Sequence, residues 1–262
     1  MTQSVLNGLL HQMGPGHVLG FFLVLARITP LFVVAPLFSS TMIPAQVRTI
    51  IAVAISIGLA PIAMHGQTVP SDPLVIALLF VTNALTGLGF SVAVSAVIAA
   101  VTSAGALLDV IAGFSYGQLI NPMDGNQGGT LTNLYSLVGL MLFIAIGGDA
   151  YMLRGIEHTF TLVPLTGAPQ ISSLAAGVDA AAGTIFVSAL ELAAPALVAL
   201  LITDVAFGMV SRVVPQLNIF AVGFPLKIGV ALLVVAASLP FLGGFLSNQV
   251  GSAVTAALQA VH

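Results

Sequence analysis

Long apolar runs dominate this sequence and limit it to a small number of folds. About six runs begin at residues 18, 47, 74, 130, 178 and 216, and most approach or exceed the roughly twenty residues that cross a hydrocarbon core. The chain is 58% hydrophobic and 5% charged, whereas about a quarter of the residues in soluble domains carry charge. Because a backbone inside a bilayer must satisfy its own hydrogen bonds, runs of helical length predict an all-α membrane protein.

Several classes of site are disfavoured by composition. The chain has no cysteine, which excludes disulfides and thiolate metal ligands, and its net charge of -3 comes with no basic run for a phosphate backbone. We therefore expect no metal, no cofactor and no nucleic-acid partner. No polar linker is long enough to separate domains, so residues 1–262 are predicted to form a single domain.

Proline, glycine and charge interrupt the apolar runs, most densely in residues 212–227, RVVPQLNIFAVGFPLK. Pro225 lacks an N–H and follows Gly223, so we predict a helix break near residues 223–225. Irregular backbone at membrane depth is tolerated only against protein or a water-filled path, which favours an assembled, pore-related protein. A kinked helix with a purely architectural role is the alternative.

Ionisable residues inside the runs are candidates for structure or for transport. Arg27 should face a protein interior, a carbonyl group or an aqueous path, as a structural or a transport residue. Asp109 is expected to be a helix cap or a buried acceptor, with proton coupling as its alternative. Glu191 and Asp204 are expected to be paired or protonated, and proton translocation is again the alternative. Asp72 before Pro73 predicts a helix start.

The run 74–112 is too long for one perpendicular span, so it must tilt, bend or project beyond the membrane. Small residues such as Gly87, Gly89 and Gly105 predict close approach between helix backbones. Glycine-rich residues 113–129, GFSYGQLINPMDGNQGG, follow and predict an irregular loop. The apolar side chains in this loop are suited to filling a cavity. An ordinary surface loop is the alternative.

One five-residue match in the loop suggests an enzyme. Residues 113–117, GFSYG, fit the G-x-S-x-G nucleophile elbow, with Ser115 as the nucleophile of an intramembrane hydrolase. The elbow requires a preceding strand, whereas the preceding run has the length and alanine content of a helix. The histidines that follow it in the sequence are His158 and His262. We therefore expect no enzymatic activity.

The motif R-x-x-P-Q-L-N-I-F-x-x-G-F-P-L-K resembles the C-terminal signature of the FliR family, which is related to the SpaR/YscT/SctT proteins of virulence type III secretion. Residues 26–48, ARITPLFVVAPLFSSTMIPAQVR, resemble the N-terminal pattern of that family. The positions that carry the likeness are Arg27, Pro44, Arg48, Arg212, Pro215, Gln216, Asn218, Gly223, Phe224, Pro225 and Lys227.

The resemblance implies a non-enzymatic subunit of a type III export gate in the bacterial inner membrane, at the flagellar basal body. It implies tilted helical hairpins, partly lifted above the bilayer, that join FliP and FliQ around a conduit for unfolded substrates, with FlhB in contact. It also implies that loop 113–123 plugs the closed channel. The plug positions are Gly113, Phe114, Ser115, Tyr116, Gly117, Leu119, Ile120 and Met123.

The alternative function is a secondary transporter whose broken helices line a small-solute site, with Arg27, Asp109, Glu191, Asp204 or Lys227 coupled to ions. Internal inverted symmetry would favour it, and the sequence shows none. The resemblance favours a flagellar over a virulence system.

Overall fold

A computed structural model describes residues 15–35, 38, 43–115, 129–214 and 219–261. Within these ranges the chain is helical and contains no β-strand, which confirms the all-α prediction. The helices are α1 (Pro15–Val34), α2 (Ala45–Ala63), α3 (Pro73–Ala112), α4 (Thr130–Ala145), α5 (Gly148–Leu162), α6 (Ile171–Val213) and α7 (Ile219–Val261).

By length and composition, five of these helices are apolar enough to cross a membrane: α1, α2, α3, α6 and α7. Helices α4 and α5 form a sixth candidate if the pair, bent by 68°, counts as one span. The bend lies at Gly147, whose φ of 74° is in the left-handed region that favours glycine. A second glycine, Gly148, follows directly and begins α5.

Three helices are longer than a bilayer requires. Helix α3 has 40 residues, and α6 and α7 have 43 each. At 1.5 Å per residue each is about 60 Å long or more, roughly twice the hydrocarbon thickness. Helix α3 starts as predicted, because Asp72 Oδ1 accepts a hydrogen bond from the Leu74 N–H at 2.9 Å.

The predicted break near residues 223–225 is wrong. Helix α7 runs without interruption from Ile219 through Pro225 and Pro240 to Val261. A proline removes one hydrogen bond from a helix, and membrane helices tolerate that loss because the remaining backbone bonds have no water to compete for them. Helix α6 ends at Val213, two residues before Pro215.

The chain forms two compact units. One contains residues up to Ser95, Asp149–Ala181 and the chain from Gly251, and its buried core includes Leu23, Ile28 and Phe90. The other contains Ala96–Gly148 and Ala182–Val250, with Tyr135 and Phe143 in its core. The single-domain interpretation stays a prediction.

Glycines bring helix backbones together inside each unit, as the small residues of α3 predict. In the first unit, a Cβ at Gly87 would collide with the backbone carbonyl of Arg27. In the second unit, a Cβ at Gly105 would lie 2.7 Å from the carbonyl oxygen of Leu131 and 2.8 Å from Cα of Thr132. Any larger residue would push α3 away from α1 or from α4.

Candidate functional site

Arg27 forms a buried polar centre in the first unit. The side chain has no exposed surface. Its Nε donates to Oδ1 of Asn83 at 3.0 Å, and its Nη1 donates to the carbonyl oxygens of Thr159 at 3.0 Å and Val163 at 2.7 Å. Its Nη2 donates to the carbonyl oxygen of Pro164 at 3.4 Å. The guanidinium therefore ties α1 to α3 and to the chain leaving α5.

Neutral groups surround this cation. The Phe160 ring lies 4.5 Å from the guanidinium carbon, and carbonyls at the C-terminus of a helix carry partial negative charge. Asn83 is held in turn, because its Nδ2 donates to the carbonyl oxygens of Leu79 at 2.8 Å and Leu165 at 2.9 Å. The arrangement favours the structural interpretation of Arg27 over a transport role.

Asp109 forms a second buried polar centre, in the other unit, and is only 2% exposed. Its Oδ1 accepts from the Leu131 N–H at 2.8 Å, while Oδ2 accepts from the N–H of Thr132 at 2.7 Å and from the Thr132 hydroxyl. Gly129, at the N-cap of α4, has no side chain to cap that helix. Asp109 supplies the cap from α3, which confirms the prediction of a cap or buried acceptor.

The predicted plug segment begins at the end of α3. Gly113 has a φ of 90°, and the N–H groups of Gly113 and Ser115 donate to the backbone oxygen of Asp109 at 3.2 and 3.3 Å. Phe114 and Ser115 are partly exposed in this turn. Tyr116, Gly117, Leu119, Ile120 and Met123 lie outside the described residues.

The turn does not have the architecture of a nucleophile elbow. Ser115 follows a 40-residue helix, whereas the elbow presents its serine between a strand and a helix. In the described part of the chain, no three His, Cys, Asp or Glu side chains gather in a way that could hold a metal ion.

The signature residues near the N-terminus support the start of α2. Pro44 occupies the N-cap with extended geometry, φ -55° and ψ 141°. Arg48 Nε donates to the carbonyl oxygen of Ile43 at 3.0 Å. These contacts fix the chain where it enters α2 and are architectural.

The C-terminal signature residues lie at the end of α6 and in α7. Arg212 is exposed in the last turn of α6, where a cation is favourable, and Lys227 Nζ lies 2.7 Å from Asp204 Oδ2. This ion pair confirms that Asp204 has a partner. Gly223 is buried, while Phe224 and Pro225 are exposed on α7. Pro215, Gln216 and Asn218 lie outside the described residues.

Sequence reasoning missed Asn83, the side-chain partner of Arg27. Its signal was present, because Asn83 is the one amide side chain in α3. Gly129 and Thr132 were also missed, although a helix start after a glycine pair without its own capping residue indicates a cap supplied from elsewhere. Glu191, the remaining candidate carboxylate, is exposed on α6.

Comparison with known proteins shows the family to which this chain belongs. Residues 18–253 match the family described as "Bacterial export proteins, family 1". The chain is similar to the flagellar biosynthetic protein FliR of Bacillus subtilis, at 31% identity over 85% of this chain and 87% of the relative. It is 28% identical to FliR of Escherichia coli, over 86% of each protein. The surface presentation of antigens protein SpaR of Salmonella typhimurium is 24% identical, over 86% of this chain and 83% of its own length. The chain is therefore a member of family 1 of the bacterial export proteins.

Proposed function

We propose that this chain is a non-enzymatic subunit of the flagellar type III export gate in the bacterial inner membrane. In this proposal it joins FliP and FliQ homologues around the conduit through which unfolded flagellar proteins leave, and FlhB contacts the assembly. The observation that carries the proposal is the family match over residues 18–253, with relatives named as flagellar proteins at 28 to 31% identity. The SpaR relative is less similar to this chain, at 24% identity, than these two FliR proteins, which favours a flagellar over a virulence system.

The exposed surfaces of α6 and α7 support assembly with partner subunits. In the most apolar 18-residue window of α6, only 28% is buried by the rest of the chain. In the corresponding window of α7, only 17% is buried. Large apolar side chains such as Phe186, Ile202, Leu233 and Phe241 are mostly exposed. Lipid or other helices must cover this surface.

The charges on α6 favour protein over lipid as the cover. Asp179, Glu191, Asp204 and Arg212 are spaced so that any twenty-residue window of α6 contains at least one of them. Asp204 has its ion pair with Lys227, while Glu191 projects from the helix surface. An exposed carboxylate at membrane depth is costly unless a hydrogen-bonding neighbour or an aqueous path receives it.

The two buried polar centres count against the small-solute transporter. Arg27 is hydrogen-bonded by carbonyl oxygens and by Asn83, and Asp109 by the first amides of α4 and by Thr132. Each centre is satisfied inside its own unit. The hydrogen bonds that both centres make go to the protein itself, whereas a transporter site needs polar groups directed at the bound solute.

In the proposed gate, loop 113–123 closes the channel and its displacement opens it. Deletion of residues 114–121 tests this role in cells that express the full gate. We expect the subunit to assemble and the membrane to become permeable to ions, because the apolar filling of the channel is gone. Unchanged conductance in an assembled gate would contradict the plug.

Ser115→Ala is the matched control for the deletion. It removes one hydroxyl group from the same segment, so a plug should keep its seal and its export rate. A hydrolase that uses Ser115 as its nucleophile would lose its activity instead.

A further inference from the structure

We propose that Glu191 is the point at which α6 binds a cationic side chain, Arg or Lys, on a helix of a partner subunit. The inference rests on the proposed function, because it needs an assembly in which other membrane helices cover α6. It depends on where Glu191 lies in α6, on the exposed side chains around it and on the cations that the second unit contains.

Glu191 lies at the middle of the longest uncharged stretch of α6. Residues 180–190 before it and residues 192–203 after it carry no charge. At 1.5 Å per residue, the stretch 180–203 is about 36 Å long, slightly more than the hydrocarbon core of a bilayer. A bilayer crossing through this stretch places the Glu191 carboxylate near the centre, where a charge without a partner is most costly.

Glu191 also lies on a continuous exposed stripe of α6. The residues of the stripe follow each other at steps of three and four, as residues on one face of a helix do. They are Val187, Glu191, Ala194, Val198, Ile202, Val205 and Met209. The stripe is about 33 Å long, and apart from Glu191 its side chains are apolar. Its length and its small or narrow side chains suit a second helix that packs alongside α6.

The cations of the second unit leave Glu191 without a counter-charge. The unit contains two, Lys227 and Arg212. Lys227, on α7, is paired with Asp204 at 2.7 Å. Arg212 is in the last turn of α6, about 31 Å along the helix from Glu191. A cation on a neighbouring helix thus pairs with one carboxylate of α6, while the other carboxylate is exposed.

The chemistry at this point favours a cation over a neutral donor. Besides the charged carboxylate, Glu191 has a backbone oxygen that cannot receive its usual helical hydrogen bond, because Pro195, four residues later, has no N–H. One residue therefore presents two kinds of acceptor on an apolar surface. A guanidinium or ammonium group offers several donors and the opposite charge. Because a cation on a membrane helix also needs a partner, the pair removes the cost of both charges.

The first experiment leaves Glu191 native. A photo-activated cross-linking residue replaces Val187 or Val198, about one turn before and two turns after Glu191, in the full chain co-expressed with the other gate subunits. We expect both positions to cross-link to the same partner helix. Mass spectrometry of the adducts should place an Arg or Lys of that helix between the two cross-linked points.

The second experiment changes the charge and measures the ratio of co-purified partner to tagged chain. Glu191→Lys sets two cations against each other and should lower the ratio about tenfold or more. Replacement of the partner's cation by Glu in the same cells should restore most of it. Glu191→Gln keeps an acceptor without the charge and should lower the ratio less, about threefold.

Asp179→Lys is the matched control. Asp179 is also an exposed carboxylate of α6, but it lies twelve residues before Glu191 and about 120° around the helix from the stripe. This variant should leave the ratio unchanged. Because Glu191 is native in the cross-linking experiment, that experiment remains decisive if Glu191→Lys does not insert into the membrane.

The outcomes separate this inference from the proposed function. Cross-links to lipid alone, to a second copy of this chain or to a partner segment without Arg or Lys would overturn the inference. An unchanged ratio in Glu191→Lys would overturn it as well. In either case, FliP and FliQ homologues that still co-purify with the native chain would leave the proposed function standing. A native chain that purifies without any other gate subunit would contradict both.

Discussion

Replacement of Arg27 by methionine should strongly destabilise the first unit. Methionine keeps much of the apolar contact of the side chain but removes all four hydrogen bonds of the guanidinium. Two of the four acceptors keep a second partner, because the Thr159 oxygen also accepts from the Val163 N–H and the Pro164 oxygen from the Gly167 N–H, both at 2.9 Å.

The other two acceptors, the Val163 carbonyl and Asn83 Oδ1, have no second hydrogen bond among the described residues. Each buried acceptor left unpaired costs about 1–3 kcal/mol, and the lost contact with the Phe160 ring adds about 1 kcal/mol. We expect a total loss of about 3–7 kcal/mol. Arg27→Lys should lose about half as much, because an ammonium group reaches one or two of these oxygens.

The assay heats the tagged full chain, with the subunits that purify with it, and measures the fraction that stays soluble in mild detergent. A loss of about 3–7 kcal/mol corresponds to a midpoint lower by roughly 6–28 °C. Arg154→Met is the control, since Arg154 is exposed on α5 and should change stability by less than about 0.5 kcal/mol. Equal midpoints for Arg27→Met and Arg154→Met would refute the structural role of the guanidinium.

The same heating assay checks three further predictions. Gly87→Ala should cost about 1–3 kcal/mol, because the added methyl group meets the backbone of α1. The control is Gly58→Ala, whose methyl group meets nothing and which should be neutral or stabilising. Equal effects of the two changes would contradict the close approach of α3 to α1. Gly147→Ala should cost about 1–2 kcal/mol, since alanine disfavours a φ of 74°, and a neutral result would contradict the bend. A double-mutant cycle of Lys227→Met and Asp204→Asn should give a coupling of about 0.2–1 kcal/mol, because the Asp204 side chain is 47% exposed; a coupling well above this range would mean that a neighbour excludes water from the pair.

The helices could be predicted well because their signals are local. The run 74–112 became α3, Pro73–Ala112, since Asp72 and Pro73 mark its start and a glycine marks its end. The bend at Gly147 was also predictable from adjacent glycines. The break predicted at Pro225 was wrong, because helix propensity is a local property. It does not show that a long apolar helix keeps enough other hydrogen bonds to continue through one proline.

The polar centres could be predicted only in part. The sequence indicates that Arg27 needs a partner, but Thr159 and Val163 act through backbone oxygens that lie 132 and 136 residues away and carry no side-chain signal. Asp109 was predicted as an acceptor, while its donors at residues 131 and 132 follow from the close packing of α3 on α4 at Gly105. Such contacts depend on the distances between helices, and these distances cannot be deduced from the sequence alone.

Quantitative co-purification from native membranes is the most direct measurement for the assembled gate. The full chain, tagged at one end and extracted in mild detergent, should emerge in one large complex with homologues of FliP and FliQ at constant ratios. The exposed apolar faces of α6 and α7 and the exposed Glu191 would then have protein neighbours. A chain that emerges folded and monomeric, and that moves a small solute by itself in vesicles, would contradict the account.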